Sequence, residues 1–113
     1  MPSPQNNPAA TRALRRIGTL FCERYRISRL IGIGGTSAVY AGIHRNGHSV
    51  AIKVLNERLS DFPEVERRFR REALIANRIR HPGVVPIIDD DVADDGSTFL
   101  VMPFRGGLRS IRP

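Results

Sequence analysis

The sequence predicts an α+β fold, a twisted five-stranded antiparallel sheet with one main helix packed on it. Three observations predict it. Apolar residues alternate on both sides of a glycine-rich turn, an Asn-Gly pair joins that region to a nearly continuous apolar run, and a capped amphipathic stretch follows.

Tyr25, Ile27, Leu30 and Ile31 lead into Gly32-Ile33-Gly34-Gly35-Thr36-Ser37, so the first strand ends at that turn. Val39, Ala41 and Ile43 then alternate with Tyr40, Gly42 and His44, and Asn46-Gly47 marks a hairpin because both residues tolerate positive φ. The third strand starts at His48. Its run Val50 to Leu55 is apolar except for Lys53, as in a strand covered on both faces over part of its length. Asp61-Phe62-Pro63-Glu64 reads as a helix start, with Asp61 as cap and Glu64 at capping-box distance. That helix runs to about Arg80, where His81-Pro82-Gly83 stops it. Val84 to Ile88 and Thr98 to Met102 read as the fourth and fifth strands, joined through an acidic stretch, Asp89 to Asp95, that reads as a solvated turn. The Pro-, Asn- and Ala-rich start makes residues 1–17 a flexible arm, 18–105 the folded unit and 106–113 an irregular basic tail.

A chain of 113 residues has room for one small domain, and 41% hydrophobic with 26% charged residues is the composition of a soluble globular unit. The net charge of +7 raises nucleic-acid binding as a function. Nearly all of that charge is arginine spread over several segments, and 6% aromatic residues are too few for a base-stacking platform, so a solvated basic face is the better reading. Cys22 is the sole cysteine and forms no internal disulfide. The N-terminus has no apolar leader run and no stretch reaches the length of a membrane span, so the expected location is the cytoplasm.

The chemistry rests on three features. The loop Gly32, Gly34, Ser37 lies between strands, unlike a Rossmann or P-loop turn, which opens a helix. Such a loop can lie flat over phosphates and let its N–H groups approach the oxygens. Lys53 is the only lysine among 18 basic residues, a compact ammonium in an apolar strand, where a snorkelling side chain is the bland alternative. Glu72 lies three residues from Phe69 and from Ile75, on the apolar stripe of the helix, so an inward carboxylate paired with Lys53 is expected. The alternative for Glu72 is a solvent pair with Arg68, and Arg67, Arg68, Arg70 and Arg71 read as the helix's solvated face.

Together these residues resemble the N-terminal lobe of the bacterial Hanks-type serine/threonine protein kinases. The resemblance rests on Ile31 to Val39 as the glycine-rich loop, Val50-Ala51-Ile52-Lys53, Phe69-Arg70-Arg71-Glu72-Ala73, His81-Pro82, and Phe99-Leu100-Val101-Met102. It covers roughly Gly18 to Phe104. It implies a kinase N-lobe fold in which Ile31, Val39 and Ala51 roof the adenine of ATP, and Gly32, Gly34, Gly35, Thr36 and Ser37 cover the phosphates. Lys53, held by Glu72, contacts the α- and β-phosphates. Met102 takes the gatekeeper position, and the hinge backbone around Phe104 and Arg105 meets the adenine edge. Ser37 stands where the family has a third glycine, and Pro103 stands where an acidic residue is usual and offers no N–H.

No HRDxxxxN, DFG or APE motif occurs in the 113 residues. The resemblance therefore implies an ATP-binding lobe that stops before the catalytic loop, is inactive alone, binds ATP weakly, holds no metal, and uses Mg²⁺ only in a complete kinase. Its expected partners are ATP and a kinase C-lobe or another kinase. The alternative function is a non-catalytic regulatory module that docks on another kinase.

Overall fold

In the computed structural model, which describes residues 8–56, 59–78 and 87–104, the alternating segments become strands. They are β1 (Leu20–Phe21), β2 (Tyr25–Ile33), β3 (Ser37–His44), β4 (Ser49–Leu55), β5 (Asp89–Val92) and β6 (Thr98–Pro103). All pair antiparallel in one sheet of order β1-β2-β3-β4-β6-β5. Two helices accompany them, α1 (Pro8–Arg15) and α2 (Pro63–Arg78), and a 3₁₀ turn at Leu59–Asp61 precedes α2.

Register decides what each face of the sheet carries, because directly opposed residues share a face. Ala38–Val54–Phe99 and Tyr40–Ile52–Val101 form rows across β3, β4 and β6 on one face. With Phe21, Tyr25 and Ile27 they make the main core, which Ala13 of α1 caps. Tyr40 is fully buried, and its hydroxyl is satisfied because it donates to the Ala13 carbonyl at 2.8 Å. The opposite face carries the rows Val39–Lys53–Leu100 and Ala41–Ala51–Met102. One end of that face is covered by α2, whose Phe69 packs with Leu55, Leu100, Val65 and Leu59.

The sheet curls until its two outer strands meet. Arg24 Nη2 lies 2.7 Å from Asp91 Oδ2 and 3.5 Å from Asp89 Oδ2, and the Tyr25 hydroxyl donates to Asp89 at 2.6 Å. Cys22 Sγ donates to the Val92 carbonyl at 3.3 Å, and Arg16 donates to Asp95 and Ser97. The main core is thus enclosed by the sheet itself.

Several expectations are corrected. The sheet has six strands rather than five, because Leu20–Phe21 forms a short edge strand. Its turn holds Cys22 at φ 51° and Glu23 at φ 59°, left-handed geometry that neither residue advertises. The strand before β6 lies in the acidic run, at Asp89–Val92, because Arg24, Tyr25 and Arg70 neutralise or bond its carboxylates. Val84 to Pro86, His81 and Pro82 lie outside the described residues, as do 79–80 and 105–113. Part of the segment expected to be an arm is helix α1, anchored through Ala13. At the Asn46-Gly47 hairpin only Gly47 takes positive φ, +95°, after a turn closed by its N–H to the His44 carbonyl. Helix α2 starts one residue later than expected, since the Phe62 carbonyl accepts from Glu66 N–H and Asp61 sits in the 3₁₀ turn. Arg70 leaves the solvated face to bind Asp90 at 3.0 Å, while Arg67, Arg68 and Arg71 are exposed.

A Cβ at Gly42 meets Ile52 Cδ1 at 2.8 Å and the Arg26 carbonyl oxygen at 2.9 Å. Backbone cannot yield as a side chain can, so Gly42→Ala should lower stability by about 1–3 kcal/mol in urea denaturation. Burial, reinforced by the Asp89 hydrogen bond, pushes the Tyr25 hydroxyl up to about 12 from an ordinary 10. The unfolded chain sheds that proton first, so the stabilisation is complete below pH 10 and is lost as pH rises towards 12. Stability measured across that window should fall, and fall less steeply in Tyr25→Phe.

Candidate functional site

The two-residue period of a strand places Val39 directly opposite Lys53, and Ala51 directly opposite Met102, on the face that the main core leaves free. Val39, Lys53 and Met102 are half-buried and Ala51 is buried. Gly32 pairs with Val39 at the end of β2, so the glycine loop begins at the edge of the same rows. Ile31 sits in a register shift between Leu30 and Gly32 and is 42% exposed.

Gly34, Gly35 and Thr36 form the exposed connection from β2 to β3. The Gly34 N–H donates to the Ser37 carbonyl at 2.8 Å, and the Thr36 carbonyl accepts from Asn56 N–H at 2.8 Å. These bonds fix the loop's ends while Gly35 points into open space. Phe104 follows β6 and is half-buried, while Arg105 lies outside the described residues.

The structure does not bring Glu72 to Lys53. Glu72 is exposed, and the Lys53 ammonium stands 5.7 Å from the centre of the Phe69 ring. The inward orientation expected of Glu72 is absent from this arrangement, and the reason lies in how α2 docks. Thr98, fully buried on β6, donates to Glu66 Oε2 at 2.9 Å, and Arg70 reaches both Glu66 and Asp90. Glu66 and Glu72 flank Phe69 at equal spacing, and these contacts turn the Glu66 side of the helix to the sheet. Side chains beyond Glu72 on α2 are outside the described residues.

The acidic run is spent on structure. Asp89 and Asp91 face Arg24, with Asp89 also accepting from Tyr25, and Asp90 and Asp95 face Arg70 and Arg16. A backbone N–H from Val92 and the Arg24 guanidinium hold the Asp91 carboxyl below its ordinary range. Among the described residues no three His, Cys, Asp or Glu side chains stand together as a metal site, and no helix is long and apolar enough to cross a membrane.

One residue of this face escaped the sequence reading. Arg29 pairs with Ala41, and its guanidinium carbon lies 5.8 Å from the centre of the Phe104 ring. Simple alternation would put Arg29 on the face of Ile27, and only the register shift between Ile27 and Arg29 turns it to this one, so the sequence offered no local signal.

No protein-family model matches the chain. It is 41% identical over 87 residues to the serine/threonine-protein kinase Pkn1 of Myxococcus xanthus, an alignment covering 76% of this chain and 12% of Pkn1. It is 37% identical over 97 residues to the serine/threonine-protein kinase PknA of Mycobacterium tuberculosis, covering 81% of this chain and 22% of PknA. The chain thus spans about an eighth to a fifth of the length of these curated relatives. Among solved structures, the kinase domain of Mycobacterium tuberculosis PknI superposes with a TM-score of 0.62 at 30% identity, over 77% of this chain and 35% of that domain. Shared sequence and a shared curled sheet with its helix make this chain a homologue of the bacterial Hanks-type serine/threonine protein kinases, with the fold of their N-terminal lobe.

Proposed function

We propose that the chain provides the ATP-covering face of a serine/threonine kinase. The observation that carries this reading is the convergence, on the face free of the main core, of the glycine loop, Val39, Ala51, Lys53 and Met102. Val39, Ala51 and Ile31 offer apolar contact to the adenine, with Met102 behind them and the Phe104–Arg105 backbone along its edge. The loop from Gly32 to Ser37 lies over the phosphates, and Lys53 contacts the α- and β-phosphate oxygens as a point charge. Glu72 holds Lys53 once α2 turns from its present docking.

The glycines support the reading. A Cβ at Gly32 or Gly35 meets nothing within 4 Å, at Gly34 only the Ser37 carbonyl at 3.6 Å, and none of the three has positive φ. The ligand-free fold therefore has no local need for glycine there, whereas phosphate oxygens approaching the backbone do.

These 113 residues carry no HRDxxxxN and no DFG. In this reading the catalytic base and the ligands for Mg²⁺ come from residues outside them, and the face alone binds ATP weakly because it encloses one side of the nucleotide. The exposure of Ile31 and Ile43, 42% and 44%, favours a second reading, a regulatory module that docks on another kinase or kinase lobe through apolar surface.

Gly35→Ala should leave the melting temperature of the ligand-free chain unchanged or raise stability by up to about 1 kcal/mol, through the unfolded state, while weakening ATP binding. A lower melting temperature would assign the glycine to the fold. Lys53→Met should lower ATP affinity by about tenfold or more in an NMR titration and leave adenosine affinity unchanged, since the lysine meets only phosphate. Equal ATP affinity in Lys53→Met and wild type would remove Lys53 from the phosphate site.

A further inference from the structure

Ala41 and Ala51 are each 7% exposed although neither belongs to the main core or to the cluster around Phe69. They lie mid-row on the functional face, in the register Arg29–Ala41–Ala51–Met102 across β2, β3, β4 and β6. Phe104 is two residues beyond Met102, on the same face by alternation, and its N–H meets the Ser49 carbonyl at 3.5 Å. Arg29 and Phe104 therefore stand three strand spacings apart, about 14 Å across a flat sheet. The guanidinium carbon nevertheless lies 5.8 Å from the ring centre, so the two side chains reach toward each other across the strands between them, β3 and β4.

We propose that Arg29 and Phe104 form a strap across the nucleobase floor, an intramolecular contact that a planar base has to displace, so that Arg29 sets the affinity of this face for nucleosides. The inference rests on reading the face as a nucleotide site. Its chemistry is direct competition. The guanidinium and the Phe104 ring satisfy one another over Ala41 and Ala51, and a purine stacking on those alanines needs the same space. Arg29 is exposed and long, so it can swing away without disturbing the sheet.

The test titrates the whole 113-residue chain with adenosine, which has no phosphate for a cation to attract, and follows it by NMR. Arg29→Ala should tighten adenosine binding about two- to fivefold, the loss of one exposed cation–π contact. Arg29→Gln, which keeps a polar side chain but shortens it and loses the charge, should do the same in part. Arg45→Ala removes an exposed arginine from the β3–β4 hairpin and should do nothing. In the ligand-free chain, Arg29→Ala should also shift the Phe104 ring resonances.

Unchanged or weaker adenosine binding in Arg29→Ala overturns the strap, the weaker result showing that Arg29 grips the base instead of covering its floor. An unmoved Phe104 ring overturns it as well. Either result with Lys53-dependent ATP binding intact removes the strap alone. Absence of saturable adenosine and ATP binding in wild type and Arg29→Ala removes the nucleotide reading and the strap with it.

Discussion

The rest of the molecule depends on the clasp between the β1–β2 turn and β5, where Arg24 and Tyr25 meet Asp89 and Asp91. β1 and β5 are the two ends of the strand order, and a sheet of this size left open would expose the rows Tyr40–Ile52–Val101 and Ala38–Val54–Phe99. Curling brings Phe21 against Phe99, with ring centres 5.1 Å apart, and lets a short chain enclose its own core. Consecutive carboxylates at 89, 90 and 91 repel one another in an extended strand, and β5 is stable because each of them faces an arginine or a tyrosine. The exposed ion pairs contribute little individually. The buried Tyr25 ring and the core behind it supply most of the stabilisation.

Closing one face leaves the other free for the proposed nucleotide site. With the main core enclosed and capped by Ala13, Val39, Ala41 and Ala51 belong to neither core cluster, while Met102 and Lys53 border the one around Phe69. That face joins small residues and a lone ammonium, with the glycine loop starting at its edge. The position of α2 leaves Glu72 exposed and Lys53 beside Phe69. Thr98 and Asp90 hold the Glu66–Arg70 side of the helix, and the lysine spends its charge on the Phe69 ring.

Strands β2, β3, β4 and β6 were legible because half-buried strands alternate in composition, and the glycine loop and Lys53 stood out against that pattern. What could not be read were features decided by partners distant in sequence. Asp89 to Asp91 look like a solvated turn until Arg24 and Tyr25, more than sixty residues earlier, are placed beside them. The turn at Cys22-Glu23 takes left-handed geometry without glycine or asparagine, so β1 left no local trace. Helix α1 buries little beyond Ala13 and starts in a Pro- and Ala-rich segment, which reads as an arm until Tyr40 bonds its backbone. Helical spacing put Glu66 and Glu72 symmetrically about Phe69, and only the buried Thr98 hydroxyl chooses between them.

Hydrogen exchange followed residue by residue in wild type and Asp89→Ala tests most directly whether the clasp organises the molecule. Removing that carboxylate takes away the Tyr25 acceptor and one arm of Arg24. If the clasp holds the curl, protection falls in β5 and also across β6 and β4 as far as Lys53, because the core they share opens as one unit. A loss confined to β5, with β4 and β6 as protected as in wild type, would show that the sheet holds its curl, and its functional face, without the clasp.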